Sequence, residues 1–519
     1  MGELAEFVGS GTSGALGAGG SSFFIDTQVF EVYQRQGWKK VFWGELLLDV
    51  GFLELTEDWY YFLCYKPVQS SDVLLPVTLT VRSLSEALWL GHYAYEEWDV
   101  LNPGWRHREE LVREETERAL PRRSLFVDGV DFGAFLSMVY VYEPLYWGVR
   151  KERYDLVPDP IYVDQGDRKV FTFYFPHAVG VEVEQWGLLG EAGMFWWDDV
   201  GQNQLRFMAN LDRVRPWTRE GVQAMTPISF EPATPRGFWV APDDPVGKRV
   251  LMEGEERFAR NVAFLALDAA LKRQHEEGIW PLMPRSDWLY DQYGMDVSFY
   301  DSRFNRDMAL FLLQGYRRFG AEPFLDGALR YADFFCNHAL RYHEITERGG
   351  FLVYDYLDLR SGSGREAAVG ALLDASSGSS GAIQDPAEAP CASDSLRERP
   401  ALRALSHVSL NHLLSEMNFL YEVYEVRPKA LYLEVAEKIR LAVLDRAGAW
   451  IRDEGEGDLC YAWLPDGSYG LLDYALLTLS DMRYSQAIFE RREGIVDEEF
   501  QVLIERQEVF LRERGLLYE

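Results

Sequence analysis

The sequence has little positive charge and no long apolar run. Its 52 lysines and arginines are outnumbered by 83 aspartates and glutamates, which gives a formal net charge of -31 at pH 7. Because the phosphates of nucleic acids require a basic surface, this charge argues against a nucleic-acid partner, and it also weakens membrane-surface binding. No uninterrupted apolar segment reaches about 18 residues, so no membrane span is expected.

Cysteines and sequence motifs of common cofactor sites are also scarce. The four cysteines are scattered and form no CxxC pair, so we expect reduced thiols rather than a disulfide framework. The start, MGELAEF, lacks the basic and apolar segments of a secretory signal, which predicts a cytoplasmic protein. The HExxH, GxxxxGK[ST] and GxSxG motifs are absent, so we expect no metal, no cofactor and no serine-hydrolase elbow.

The N-terminal half has the composition of a β-rich domain. Residues 1–22 are rich in glycine and serine and predict a flexible tail. Over 23–240, alternating and β-branched segments such as VTLTV (77–81) predict a sandwich or barrel-like domain with helical insertions. A charged stretch, RHREELVREETERAL (106–120), predicts one such helix, whereas 132–148 is compatible with a helix or a buried strand.

The C-terminal part, 241–519, has the periodicity of paired helices joined by short turns. The predicted helices cover 255–278, 301–319, 323–343, 406–426, 428–446, 470–490 and 496–513. Between them, 361–400 is low in aromatics and rich in small residues, which predicts an excursion from the domain that is either disordered or a lid. A weak repeat of the helical pairs favours stacked or ring-arranged hairpins. The predicted fold class is therefore α+β, with a β-rich domain followed by helical hairpins.

Two of these helices have the pattern of inner helices. Apolar residues cover most of the circumference of 301–319, and Asp301 stands where an N-cap belongs. In 406–424 a neutral polar strip runs along one side and comprises His407, Asn411, Ser415 and Asn418. This strip predicts either a satisfied polar network between packed helices or the lining of a polar cleft.

The order of a β-rich part and paired helices resembles the glucuronyl C5-epimerase-like group of (α/α)-toroid carbohydrate-active enzymes. The local patterns that carry the resemblance are GIWPLMPRSDWLYDQY (278–293), GGFLVYDYLDL (349–359) and WLPDGSYGLLDYALLTLSDM (463–482). The resemblance implies an incomplete (α/α) barrel over 241–519. It also implies a carbohydrate substrate containing uronic acid, with epimerase or lyase chemistry, and it is compatible with a homodimer.

The stretch RSDWLYDQYGMDVSFYDSRFNRD, 285–307, contains the groups that a sugar site requires. These are aromatic faces, carboxylates for hydroxyl groups, and arginine forks for an anionic substituent. With tyrosines and polar residues from later loops, the predicted catalytic residues are Tyr290, Tyr300, Asp301, His407 and Tyr469. The predicted substrate-binding residues are Arg285, Asp287, Trp288, Tyr293, Arg303, Asn411, Tyr354 and Asp473. In uronate chemistry a base removes the proton next to the carboxylate, whose charge must be neutralised.

Two other functions fit the same residues. A glycoside hydrolase requires one acid and one base or nucleophile, with candidates at Asp287, Asp296, Asp301, Glu416 and Asp473. A non-catalytic glycan-binding or assembly protein would use the aromatic surface for contact alone. A purely structural role is also open for part of the stretch, in which Asp301 caps a helix and Arg303 pairs with Asp307.

Overall fold

The computed structural model describes most of two compact units, Met1–Ala266 and Leu267–Glu519. The described residues are 5–7, 23–27, 38–41, 44–94, 105–114, 116–145, 150–195, 234–235, 252–281, 287–295, 299–359, 406–452, 458–472 and 474–517. The predicted excursion at 361–400 lies outside them, as does the predicted tail at 1–22 except for 5–7.

The first unit contains antiparallel strands in two sheets. Its strands, β1 to β16, are Ala5–Phe7, Phe23–Thr27, Trp38–Val41, Gly44–Leu53, Asp58–Pro67, Ser71–Arg82, Ala87–Ala94, Trp105–Val112, Glu117–Ala119, Leu125–Asp128, Gly133–Leu136, Tyr140–Pro144, Arg150–Glu152, Ile161–Asp164, Arg168–His177 and Glu182–Gly190. One sheet has the order β1-β2-β6-β15-β14-β9. The other has the order β3-β4-β5-β16-β11-β10-β7-β8, with β12 also on β16 and β13 on β12.

The two sheets share one hydrophobic core. Along β6, Val77, Leu79 and Val81 are buried and the residues between them are only half-buried, which is the period-2 pattern seen in the sequence. A single cluster of buried side chains contains these residues together with Leu63 from β5 and Val183 from β16. Sharing of one core by two antiparallel sheets is the packing expected of a β-sandwich.

The predicted helix over 106–120 is wrong, because this segment forms strands β8 and β9. β8 pairs with β7 and places Leu111 opposite Leu88, and both side chains are buried. β8 is also the edge strand of its sheet, where charged side chains are common. A non-local strand pairing therefore overrides the helix-forming composition. The ambiguous segment 132–148 contains strands β11 and β12.

The second unit is mainly helical. The described helices, α1 to α9, are Arg257–Arg273 (which begins in the first unit), Asp287–Tyr293, Ser302–Phe319, Glu322–Arg341, Leu410–Val426, Ala430–Asp445, Ala447–Trp450, Ala475–Glu493 and Glu498–Glu513. Short strands, β17 to β23, are Phe299–Asp301, His343–Ile345, Phe351–Val353, Tyr356–Asp358, Val408–Ser409, Cys460–Trp463 and Tyr469–Leu472. In the parts of the chain that the structure describes, no helix has the length and hydropathy to cross a membrane.

Three helical hairpins stand side by side, as the paired helices in the sequence predicted. They are α3–α4, α5–α6 and α8–α9, with α5 packed against both α3 and α8, and α6 packed against α4. The turn between α3 and α4 follows from its residues. Gly320 adopts a φ of 69° after the last turn of α3, and Pro323 stands in the first turn of α4. We therefore describe α3, α5 and α8 as the inner row.

The start of α5 differs from the sequence prediction. The helix begins at Leu410 rather than 406, because Val408 and Ser409 form a strand that pairs with Trp463 and Ala462. His407 therefore precedes the helix and is not part of its polar strip. A similar pairing of β22 with β23 delays the start of α8 to Ala475.

The stretch taken as a connector before α3 contains helix α2. Leu289 and Tyr293, one turn apart on that helix, pack with Phe299 and Tyr356 in a small hydrophobic cluster. This packing gives Leu289, Tyr293 and Phe299 of the stretch a structural role in addition to any functional one.

Candidate functional site

The beginnings of α3 and α5 are joined through one residue, Asp355. Its backbone N–H donates to the carbonyl of His407 at 3.1 Å, and its carbonyl accepts from the N–H of Ser302 at 3.0 Å. The adjacent strands β17 and β20 pair Asp301 with Tyr356. Backbone hydrogen bonds therefore hold three chain segments, distant in sequence, around the Asp355 side chain.

A cluster of buried polar side chains surrounds Asp355, and we call it the histidine cluster: Ser302, Asp355, His407, Ser409 and His412. Both carboxylate oxygens of Asp355 accept from the Ser409 N–H at 3.0 Å, and Oδ2 also accepts from the Ser409 hydroxyl. Nε2 of His407 and Nδ1 of His412 each lie 3.5 Å from Oδ2 of Asp355. Nδ1 of His412 is also 2.9 Å from Oγ of Ser302.

Burial disfavours charge throughout the histidine cluster. It raises the pKa of Asp355 well above the ordinary value, against the hydrogen bonds from Ser409 that lower it. Burial also lowers the pKa of His407 to about 4. The pKa of His412 is lowered well below its usual value by burial and then by the positive charge of Arg303. Both imidazoles are therefore neutral at neutral pH.

Aromatic rings enclose His407. Its Nδ1 is 2.9 Å from Oη of Tyr293, and its ring centroid lies 5.3 Å from that of Trp288, 5.4 Å from Tyr356 and 5.8 Å from Tyr461. His407 consequently has no accessible surface, whereas 7% of the His412 side chain remains accessible. Of the two histidines, His412 is the less completely buried.

A charged network lies next to the cluster on the inner row. Arg303 binds Asp481 of α8, and its Nη1 donates to the carbonyl of Asn411 at 3.0 Å. Arg306 is 3.0 Å from Asp307 through Nη1 and 3.8 Å from Asp481 through Nη2. Two arginines therefore balance two aspartates, and these ion pairs connect α3 with α8.

A cavity of about 180 Å³ opens beside this network, between α3, α5 and α8. Its lining consists of Arg306, Leu310, Ser415, Asn418, Phe419, Glu422, Ser480, Asp481 and Tyr484. Nε and Nη2 of Arg306 and Oδ1 of Asn418 are buried and have no hydrogen-bond partner within the described part of the chain. Ser415 and Asn418 belong to the polar strip seen in the sequence, so this strip lines a cavity along part of its length.

The structure brings several predicted site residues together. Trp288, Tyr293 and His407 lie in contact beside Asp355. Arg303 reaches the backbone of Asn411 in the adjoining charged network.

Asp301 stands at the start of α3 and acts as its N-cap, accepting from the Phe304 N–H at 2.9 Å. The structural role that the sequence suggested for Asp301 is therefore present. A catalytic role for Asp301 remains a prediction.

Other predicted tyrosines have separate surroundings. The hydroxyl of Tyr300 is 3.0 Å from that of Tyr331, which in turn donates to Glu416. Tyr354 donates to Glu344 at 2.8 Å. Tyr469 packs edge-on against Trp450 at 4.9 Å, and burial raises its pKa to about 12.

Four further predicted residues lie on α2 or outside the described residues. Tyr290 is half-buried on α2, and Asp287 begins this helix, although its side chain is outside the described residues. Arg285 and Asp473 are also outside them. Their predicted roles stay predictions.

The sequence interpretation passed over residues that are central to the observed geometry: Ser302, Asp355, Arg306, His412 and Asp481. In the sequence, nothing distinguishes Asp355 from the other acidic residues beside tyrosines. The local pattern also extends the helix back to His407 and does not reveal the strand pair that precedes α5. In the described residues, no group of three or more His, Cys, Asp or Glu side chains is arranged to hold a metal ion.

No protein-family model matches the chain, and no curated protein matches it. Among solved structures, it is similar to D-mannose isomerase, with 12% identity, 61% of this chain and 71% of that chain covered, and a TM-score of 0.36. A family 76 glycoside hydrolase from a bovine Bacteroides thetaiotaomicron strain matches with 8% identity, 92% and 78% coverage, and a TM-score of 0.35. A sugar epimerase from a ruminal bacterium matches with 13% identity, 54% and 59% coverage, and a TM-score of 0.31. Since these TM-scores are below 0.5, we argue function from the side chains of this chain.

Proposed function

We propose that the second unit is a carbohydrate-active enzyme that transfers a proton on its sugar substrate, with His412 as the transferring group. The observation that carries the proposal is the setting of this imidazole. Nδ1 is held by Ser302 and faces Asp355, while Nε2 has no hydrogen bond to any described residue. A positioned, neutral imidazole with one free nitrogen is the usual general base of such reactions.

The hydrogen bond at Nδ1 allows His412 to act in both directions. A serine hydroxyl can donate or accept, so Ser302 stabilises either tautomer of the ring. When Ser302 accepts from Nδ1–H, Nε2 is unprotonated and can remove a proton from a sugar carbon. The imidazolium that forms keeps its hydrogen bond to Ser302 and can return the proton from Nε2–H. Epimerisation and isomerisation both need this removal and return.

Asp355 limits the electrostatic cost of the transfer. His412 becomes an imidazolium when Nε2 accepts a proton, and a buried positive charge requires a partner. The Asp355 carboxyl group lies 3.5 Å from Nδ1, and its ionised form would offset that positive charge. The proton to be removed must be acidic, which places it next to a carbonyl or carboxylate group of the sugar.

The uronic acid suggested by the sequence would need a cation for its carboxylate. The arginines near His412 are Arg303 and Arg306, and both are paired with Asp307 and Asp481. Their charge is thus balanced inside the protein. The geometry supports proton transfer on a sugar more directly than it supports a uronate, and the substrate panel below includes both.

A second candidate function is glycoside hydrolysis, which one observation favours. Asp481 and Glu422 both line the cavity, and hydrolysis requires two carboxyl groups around one bond. Burial raises the pKa of Asp481, as suits a general acid. Glu422 forms an ion pair with Arg317, and its carboxylate would be the base or nucleophile.

One experiment separates these functions. The protein is incubated in heavy water with neutral hexoses, their oligosaccharides and uronic-acid polysaccharides, and the products are followed by NMR. We expect deuterium at a carbon next to a carbonyl or carboxylate, and a loss of about 10²–10⁴ in this rate for His412→Gln. His343→Gln is the matched control and keeps the rate. New reducing ends without deuterium would favour hydrolysis instead, and exchange that survives in His412→Gln would refute the proposed base.

A further inference from the structure

We propose that Glu416 is an uncharged buried acid that positions the serine beside His412. It acts through the hydroxyl group of Tyr331, which contacts both Glu416 and Ser302. Glu416 is thus a positioning residue and does not itself transfer the proton. Its uncharged state stands on the hydrogen bonds alone, whereas its effect on catalysis rests on the function proposed above, so the experiments below separate the two.

The hydroxyl group of Tyr331 has three oxygen partners but only one hydrogen. Its oxygen lies 3.2 Å from the carbonyl oxygen of Ser302 and 3.0 Å from the hydroxyl oxygen of Tyr300, and it also contacts Oε1 of Glu416. A carbonyl can only accept, so the Tyr331 hydrogen belongs to Ser302 when all three bonds form. Tyr300 and Glu416 must then donate to Tyr331, and a glutamate side chain can donate only when it is protonated.

An ionised Glu416 would leave these residues with fewer hydrogen bonds and a buried charge. The carboxylate would take the single Tyr331 hydrogen, and the Ser302 carbonyl would lose it. Oε2 of Glu416 is buried and has no hydrogen-bond partner among the described residues. The arginines that act on it, Arg303 and Arg306, are already paired with aspartates. Because a buried charge without a partner is costly, burial raises the pKa of Glu416 well above its usual value.

The groups around Glu416 that titrate or carry charge come from five elements. They are Tyr300 from β17; Arg303, Arg306 and Asp307 from α3; Tyr331 and Cys336 from α4; His412, one turn earlier on α5; and Asp481 from α8, which pairs with both arginines. Burial also raises the pKa of both tyrosines and of the cysteine. Among the uncharged groups of this set, Glu416 is therefore the one that ionises first as the pH rises.

Ser302 is the link between this network and His412. Its N–H donates to the Asp355 carbonyl at 3.0 Å, its carbonyl accepts from Tyr331, and its Oγ lies 2.9 Å from Nδ1 of His412. Backbone bonds on both sides of the residue therefore fix the position of its hydroxyl group. When Glu416 loses its proton, Tyr331 donates to the carboxylate instead, and the Ser302 carbonyl loses this bond. The imidazole of His412 consequently reports the ionisation of Glu416 through Ser302.

Infrared difference spectroscopy of the full chain measures the charge of Glu416. The spectrum of Glu416→Gln is subtracted from that of the wild-type protein at pH 7, and we expect the difference to contain the carbonyl stretch of a protonated carboxyl group. Raising the pH should replace this band by carboxylate bands. Glu425→Gln is the matched control, because Glu425 lies on the same helix but pairs with Arg491 at the surface, and its difference should contain carboxylate bands only. A carboxylate signal from Glu416 at pH 7 would overturn the inference.

NMR of chains labelled with nitrogen-15 in histidine measures the link to His412, whose resonances are identified by their absence in His412→Gln. We expect them to shift over the pH interval in which the infrared band disappears. They should not shift there in Glu416→Gln, since its amide still donates to Tyr331 at every pH. Tyr331→Phe should show the shifted resonances already at pH 7. The same pH-dependent shift in Glu416→Gln as in the wild-type protein would overturn the positioning role.

The deuterium-exchange rate tests the consequence for the proposed function. We expect this rate to fall about tenfold as Glu416 ionises in the wild-type protein, and not to fall in this way in Glu416→Gln. In Tyr331→Phe the rate should be about tenfold lower at pH 7, with the KM nearly unchanged. Thermal melting checks the folding of every variant. If no sugar exchanges deuterium at all, the proposed function fails, whereas the infrared and NMR results still decide the role of Glu416.

Discussion

Two buried carboxyl groups, one in each unit, have opposite surroundings. Asp58 in the first unit accepts from Arg257, from Asn261 at 2.7 Å and from Thr56, and of these three only the arginine is charged. Asp355 in the second unit has two imidazoles 3.5 Å away. Burial raises the pKa of both. Arginine keeps its proton, so Asp58 has a fixed partner, whereas the partners of Asp355 can exchange protons. The first arrangement serves folding and the second is suited to chemistry.

The same contrast extends to other buried polar groups. In the first unit, Lys169 is buried but donates to Asp164 at 2.8 Å and to the carbonyl of Gly166 at 3.0 Å. Along α5 in the second unit, side-chain oxygens of Asn411, Glu416 and Asn418 are buried without a partner among the described residues. Unsatisfied polar groups destabilise a fold, so the three on this inner helix support the site proposed beside it.

The largest expected effect is on stability, and it tests the structural role of Asp58. Asp58→Ala leaves Arg257 and Asn261 without their shared acceptor in a buried position. We expect the free energy of unfolding to fall by about 3–5 kcal/mol, as when one partner of a buried pair is removed. Urea unfolding followed by tryptophan fluorescence measures it. Asp155→Ala, which breaks an exposed pair with Arg153, is the control and should cost less than about 1 kcal/mol. Equal costs for the two variants would contradict the structural role of Asp58.

The pH dependence of stability tests the burial of the histidine cluster. The pKa of His407 falls from 6.5 to about 4 on folding, so the unfolded chain binds the proton more readily between these values. Stability is therefore lost as pH falls from 6.5 to 4, by about 3 kcal/mol for this residue. His407→Gln cannot take up the proton, and we expect its unfolding free energy to fall by about 3 kcal/mol less over that interval. Parallel curves for the two proteins would show that His407 is not buried as described.

The proposed chemical role of Asp355 is tested by Asp355→Asn, with Asp58→Asn as the matched control. An amide carries no negative charge, so the positive charge that His412 gains stays unpaired. We expect the deuterium-exchange rate to fall about 10–100-fold for Asp355→Asn, with the KM nearly unchanged, because orienting partners typically contribute this much. Asp58→Asn should keep the rate. If both variants slow exchange to the same degree, the loss reflects folding and the assigned role of Asp355 is wrong.

Local sequence patterns predicted much of this fold. The errors arose where pairing with a distant strand determined the structure. Strand β6, the extent of α3 and its Asp301 cap follow from periodicity and capping rules, which act within a few residues. The charged helix predicted over 106–120 and the early start predicted for α5 failed for one shared reason. In both, hydrogen bonds to a strand elsewhere in the chain override the local preference; Val408, for example, pairs with Trp463.

The candidate site was harder to predict for the same reason. Asp355 and His412 are 57 positions apart in the sequence. They meet only because strands bring their two segments together. Composition correctly pointed to aromatic and acidic residues between helices, and Trp288, Tyr293 and His407 do lie together. Composition could not select which carboxyl group is buried, and burial is what distinguishes Asp355 from the many exposed acidic residues.

The smallest expected effect concerns Asp301, which the sequence offered both as a cap and as a catalytic group. Its side chain accepts from the Phe304 N–H, and its charge raises the pKa of nearby Asp355. Asp301→Ala should lower the free energy of unfolding by about 1 kcal/mol, whereas Asp301→Ser preserves the cap and should cost only a few tenths. Thermal unfolding of both variants measures this difference. We expect Asp301→Ser to keep the exchange activity as well, because a serine retains the start of α3 and hence the position of Ser302. Loss of exchange in a stable Asp301→Ser protein would instead show that this carboxylate takes part in the chemistry. Asp301 would then be a carboxyl group with both a structural and a chemical role, unlike Asp58 and Asp355.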